Sequence, residues 1–167
     1  MIRVICGSSN VKNLPSILAC FILAGCATAP TFPAPNADWK SFTGQLQYVT
    51  PARSIIGEFT ATRHGDEFRL EFSKGGAMTL LRLARHGDLI LAEGPLARGR
   101  WHGRAEAAPA YLRGWTAVPG AFASVAREPD APHDGIETEL VLDHNKPKSL
   151  SFRGAQTGEK FIFQFNR

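Results

Sequence analysis

From residue 40 to residue 166 apolar and polar side chains alternate in short runs punctuated by glycine-containing turns, the period-two pattern of half-buried strands. A two-residue loop at His64-Gly65 sets Ala61 against Phe68, Phe59 against Leu70 and Gly57 against Phe72. Thr62 with Glu67 and Thr60 with Arg69 then collect on the other face. A second loop at His86-Gly87 pairs Leu83 with Ile90 and Leu81 with Ala92. A third, at Gly75-Gly76, puts Phe68 beside Leu83 and Leu70 beside Leu81. Two apolar rows result: Ala61, Phe68, Leu83, Ile90, and Phe59, Leu70, Leu81, Ala92. The same register sets Glu58 opposite Glu71 and Arg69 opposite Arg82, contacts softened by oppositely charged diagonal neighbours. It leaves Leu80 and Leu91 on the outer face.

Upstream, Phe42, Gly44, Leu46 and Tyr48 alternate with polar residues in a strand that Pro51 ends. Downstream, Thr138–Asp143, Ser149–Arg153 and Glu159–Asn166 read as another meander, with loops at Asn145-Lys146-Pro147 and at Ala155 to Gly158. Leu140 then meets Phe152 and Phe161, and Leu142 meets Leu150 and Phe163. The stretch from Pro95 to Gly135 differs. Arg98–His102 reads as a short strand, Glu106–Trp115 and Ala121–Glu128 as helices interrupted at Pro119-Gly120, and Pro129, Pro132 and Asp134-Gly135 as a loop. Trp101, Tyr111, Leu112, Trp115, Val118 and Phe122 are too much apolar surface to leave in water. The fold class is therefore mainly β (α+β). About eight strands form a curved antiparallel meander sheet, an open half-barrel, with a short helical insert at about 104–128 packed on its concave face.

The N-terminal segment belongs to no such pattern. Arg3 and Lys12 precede an apolar run from Leu14 to Leu23 that is too short to span a bilayer. It closes on Leu23-Ala24-Gly25-Cys26, which resembles the lipobox of bacterial lipoproteins, with Cys20 a weaker competitor. That resemblance implies a signal peptide at 1–25 and a Cys26 carrying acyl chains, and two or more chains anchor firmly where one is marginal. Residues 26–38, with Pro30, Pro33 and Pro35, read as a semi-rigid tether, and residues 39–167 as a single domain. Ala27 in place of Asp is compatible with export to the outer membrane, the domain facing the periplasm. Cleavage removes Cys6 and Cys20, so the domain is expected to hold no disulfide and no cysteine-based metal site. It also removes two of the 19 Lys and Arg that stand against 15 Asp and Glu, which weakens any case for a nucleic-acid partner.

Candidate chemistry is sparse. Arg63-His64-Gly65-Asp66 and Arg85-His86-Gly87-Asp88 repeat a tetrapeptide whose first three residues match the nucleophile signature of histidine phosphatases. Such an enzyme needs that triplet at the end of a parallel strand in a longer α/β domain, with a second His and further Arg residues. Here both copies read as turns at the same end of a sheet. His64, His86, His102, His133 and His144 all fall in expected turns, with no i,i+4 pair, so neither a metal nor a cofactor is expected. No Ser-His-Asp spacing stands out, and no catalytic residue is assigned. Arg98, Arg100, Arg104 and Arg113, with Trp101 and His102, form a basic and aromatic cluster suited to lipid head groups or an acidic partner, or to covering apolar surface with Arg stems.

From Trp39 to Asn166 the chain resembles the half-barrel family of the lipoprotein-sorting proteins LolA and LolB. The resemblance rests on Gly57-Glu58-Phe59, Asp66-Glu67-Phe68-Arg69-Leu70, a glycine turn, a Leu-rich strand, Arg113-Gly114-Trp115, Val118-Pro119 and a terminal hairpin opened by Pro147. It implies an eleven-stranded open barrel, helices over an apolar cavity that takes acyl chains, and no catalysis. LolB carries a protruding hydrophobic loop where this chain has Lys74-Gly75-Gly76, a departure from the family pattern. The expected cavity residues are Phe59, Phe68, Leu70, Phe72, Leu81, Leu83, Ile90, Trp101, Trp115, Phe152, Phe161 and Phe163, with Cys26 as the lipidated residue. The expected function is a membrane-anchored envelope lipoprotein that binds a lipid or acylated ligand. The alternative is a structural or protein-interaction lipoprotein with a filled core and an envelope protein as partner.

Overall fold

Among the described residues, alternation at period two resolves into nine strands. The computed structural model describes residues 34–126, 138–154 and 157–166. Its strands are β1 (Lys40–Val49), β2 (Ser54–His64), β3 (Glu67–Lys74), β4 (Met78–His86), β5 (Leu89–Gly94), β6 (Gly99–Arg104), β7 (Thr138–Asp143), β8 (Lys146–Arg153) and β9 (Lys160–Phe165). All pair antiparallel in one open sheet of order β6-β5-β4-β3-β2-β1-β9-β8-β7. The chain parts by contact density into Met1–Thr31 and Phe32–Arg167, and every described element lies in the second unit. The expected signal peptide and the loop at Pro129, Pro132 and Asp134-Gly135 lie outside the described residues, as do Glu128 and His133.

Strands β1–β5, β8 and β9 bury one face as the alternation requires, the edge strands β6 and β7 are at most half-buried, and the partners differ from expectation. Phe59 faces Phe72, Ala61 faces Leu70 and His64 faces Glu67, so the loop is Gly65-Asp66, one residue later than expected. The second copy behaves alike: Leu83 faces Ala92, Arg85 faces Ile90, and the loop is Gly87-Asp88. Positive φ falls on Gly65 and Gly87, the first loop position, while both histidines remain extended. Only glycine takes that backbone without steric cost, so the turn forms where glycine leads. A register shift of two residues keeps every side chain on its face, which is why both apolar rows are buried although their members are re-paired. The shift also removes the like-charge contacts: Glu58 faces Ser73, Arg69 faces Ala84, and Glu71 meets Arg82 at 3.3 Å.

Two further corrections concern turns. Between β3 and β4 the loop is Gly75 to Ala77, and the register slips at Phe72/Ser73. That bulge gives two consecutive inward residues, so Leu80 is buried beside Leu81 instead of lying on the outer face. At the C-terminal hairpin the loop is His144-Asn145, both at positive φ as a type I′ turn needs, and Lys146-Pro147 already belong to β8. Leu140 therefore faces Leu150, and Thr138 faces Phe152, again a shift of two. The β8–β9 pairing, Leu150 with Phe163 and Phe152 with Phe161, is as expected.

β6 and β7 are the opposite edges of the sheet, so the chain between them must cross a face. It does so through single 3₁₀ turns at Ala105–Ala107 and Ala110–Leu112, then α1 (Arg113–Thr116) and α2 (Val118–Ala126). Pro119-Gly120 does not interrupt the helix but sits in its first turn, where proline forfeits no intrahelical hydrogen bond. Leu112, Trp115, Val118 and Phe122 are buried in one cluster with the inward rows of the sheet. The core thus sits between the concave face and this helical plug.

Candidate functional site

Of the twelve residues expected to line a cavity, all but Trp101 are buried, and Trp101 is half-buried on the β6 edge. The structure brings them together as a packed aromatic core. Phe152 stacks on Phe161 at 4.7 Å, Phe59 meets Phe163 edge-on at 5.1 Å, and Trp115 meets Phe161 at 4.9 Å. Phe72 completes this side at 5.9 Å from Trp115. Phe122 reaches from α2 into a ring of five phenylalanines: Phe42, Phe59, Phe68, Phe163 and Phe165, at 4.9–6.1 Å between centroids. Phe122 occupies the middle of the space in which an acyl chain was expected, although it was absent from the expected cavity lining.

Among the described residues two charged side chains penetrate this core, and neither was among the expected site residues. Arg63 follows Phe59 and Ala61 on the inward face of β2, is 5 % exposed, and donates from Nη1 to the Pro119 carbonyl at 3.0 Å. It thus ties the first turn of α2 to the sheet. Glu159, 7 % exposed, continues the inward row of Phe161 and Phe163. It accepts hydrogen bonds from the Tyr48 hydroxyl at Oε1 and from Thr157 Oγ1 at Oε2, the latter at 2.8 Å. Tyr48 lies 4.8 Å from Trp115, centroid to centroid. Burial raises the Tyr48 phenol well above its ordinary value, and its bond to the Glu159 carboxylate and that group's charge raise it further. Trp115 Nε1–H, which makes no well-formed hydrogen bond, and the Arg53 charge pull weakly the other way.

Gly114 completes this node. A Cβ there would lie 2.0 Å from Glu159 Oε2 and 3.1 Å from the Phe161 ring. The glycine is what lets the α1 backbone approach the buried carboxylate. One signal in the sequence marks both intrusions: a charged residue in phase with a buried row, Arg63 with Ala61 and Glu159 with Phe161.

At the other candidates the chemistry stays on the surface. His64 stacks on Trp39, and His86 Nδ1 contacts the carboxylate of Glu67, the residue that follows the first RHGD copy. His102 lies within β6 rather than in a turn. Among the described residues, no group of three or more His, Cys, Asp or Glu side chains is placed to hold a metal ion. The basic cluster is divided between β6 and the elements beside it: Arg98, just before β6, covers the Tyr111 ring at 4.4 Å, Arg100 in β6 pairs with Glu93 at 2.8 Å, and Arg113 in the helical insert donates from Nε to the Ala108 carbonyl. No helix among the described residues is long and apolar enough to cross a membrane. Comparison with protein-family models and with curated proteins finds no match for this chain.

Proposed function

We propose that this chain is a non-enzymatic lipoprotein of the bacterial envelope, anchored through Cys26 in the outer membrane and facing the periplasm, that binds an acyl chain between its sheet and its helical plug. The observation that carries the reading is the apolar interface of Trp115 and Phe122 with the concave rows of an open sheet. The burial of apolar surface is non-directional, so an acyl chain can replace ring contacts when the plug lifts, without stranding many polar groups. Each methylene then buried contributes about 0.8 kcal/mol. Arg63, bonded to the plug at Pro119, is a polar contact that such lifting breaks. Displacement of a fluorescent fatty acid, with native mass spectrometry of detergent-free protein, tests the binding. Absence of bound lipid in both experiments refutes it. Metabolic labelling with palmitate tests the anchor, which is lost in Cys26→Ser.

The close packing of the core favours a second reading, an anchored protein-interaction module that never opens. Its docking surface is the β6 edge with Arg98, Arg100 and Arg104. It predicts that charge reversal at these three positions abolishes capture of an envelope protein and leaves lipid binding unaffected.

A further inference from the structure

β8 changes character along its length. Phe152 and Leu150 are buried in the core, whereas Lys148 and Lys146, beyond a register shift on the way to the hairpin turn, are exposed. Beside them the inner rows of β1 and β9 end in Phe42 and Phe165, partly buried rings 5.9 Å apart that both touch Phe122 of the plug. Here the structure opens into a cleft of about 520 Å³, within the range of small-ligand sites. Its lining combines these two rings with Lys146, Lys148, His144 and the Thr43 hydroxyl.

The cleft is amphipathic, and its two lysines outnumber its one carboxylate. Its single lining carboxylate, Asp143, already faces His144 Nδ1 at 2.8 Å. Among the described residues neither Lys146 nor Lys148 is ion-paired. Thr43, also in the lining, accepts at Oγ1 from Asn166 Nδ2 at 3.2 Å and keeps its own hydroxyl proton as a donor. An apolar floor with cationic and hydroxyl donors at its rim matches a molecule with an oxyanion head and a hydrocarbon tail. A free inorganic anion makes no use of the two rings, and a neutral lipid none of the two ammonium groups.

We propose that this cleft binds the anionic head group of an acyl amphiphile, with Lys146 and Lys148 on the oxyanion and the first methylenes on Phe42 and Phe165. The inference rests on the acyl-binding reading for the tail and adds the head-group chemistry and the direction of the ligand. Its polar end lies at the β7–β8 turn, and its chain runs toward Phe122.

Titration of the purified full chain with dodecyl phosphate, dodecanol and inorganic phosphate, by displacement of a fluorescent fatty acid, tests the proposal. Dodecyl phosphate is expected to bind about tenfold more tightly than dodecanol, as two exposed charge contacts allow. The double variant Lys146→Gln, Lys148→Gln is expected to erase that preference while its thermal melt stays unchanged. Equal affinity for dodecyl phosphate and dodecanol overturns the head-group site and leaves acyl binding standing. Binding of neither overturns acyl binding itself, and this proposal with it. Displacement by inorganic phosphate as effective as by dodecyl phosphate overturns the amphiphile in favour of a simple anion site, and a preference that survives in the double variant overturns the role of the lysines.

Discussion

Replacing Phe122 by alanine tests the plugged sheet at its centre. The ring is fully buried and lies within 6.1 Å, centroid to centroid, of five other phenylalanine rings. A buried aromatic side chain removes about 150–250 Å² from water, and truncation to Cβ forfeits most of that area at roughly 25 cal/mol per Å². With five rings restrained on strands or neighbouring elements the site collapses only in part, so a loss of about 3–5 kcal/mol is expected. Unfolding entropy near 2.1 cal/mol/K per residue, applied to the unit Phe32–Arg167, converts this to a fall in Tm of roughly 11–18 °C. Urea denaturation followed by circular dichroism gives the free energy, and calorimetry gives the Tm. The vacated space is ringed by five phenylalanines and should stay dry, so benzene is expected to raise the Tm of the variant and not that of the parent. A loss below about 1 kcal/mol, or the same benzene response in both proteins, would refute the enclosure of this ring and the placement of α2 on the concave face.

Three other perturbations probe the polar intrusions. Gly114→Ala drives a methyl group to 2.0 Å from Glu159 Oε2, so a destabilisation of about 1–3 kcal/mol is expected in urea denaturation; an unchanged midpoint would mean the carboxylate does not sit there. Tyr48→Phe removes a donor from the buried carboxylate and is expected to cost about 1–3 kcal/mol. In the parent, ultraviolet titration should show Tyr48 ionising above the ordinary phenol range, and its raised folded-state value gives stability fully present below about pH 10 and lost as pH rises above it. Arg63→Ala frees the Pro119 carbonyl, so amide exchange in α2 is expected to quicken by roughly one to two orders of magnitude while exchange in the β3–β4 hairpin holds; equal acceleration in both would make Arg63 a general core residue rather than a tie to the plug.

How much of this was legible in the sequence depended on the interaction concerned. Burial faces were legible because a strand exposes alternate residues whatever its partner, and Phe59, Leu70, Leu81 and Phe163 declare their side locally. Pairing was less so. His64-Gly65 and Gly65-Asp66 both satisfy the apolar rows, and the choice turns on which residue takes positive φ and on Glu71 reaching Arg82. The bulge that buries Leu80 left no mark on a period-two reading, because a bulge is a break in that period. Arg63 and Glu159 were visible as charges out of keeping with their row. Their partners, Pro119 and Tyr48, lie 56 and 111 residues away, beyond any local pattern.

Taken alone, the sequence determined that the chain makes a curved antiparallel sheet with helices on one face, since periodicity, turn residues and the apolar surplus near Trp115 and Phe122 are all local properties. Only the tertiary structure decided that Phe122 fills the middle of the concavity, that Glu159 is buried against Gly114 and Tyr48, and that Lys146 and Lys148 line an open cleft with Phe42 and Phe165. Alternating Phe and Leu serve a filled core and a lined cavity equally well. The difference lies in the volume left between elements brought together across the whole chain, and that volume is a property of packing.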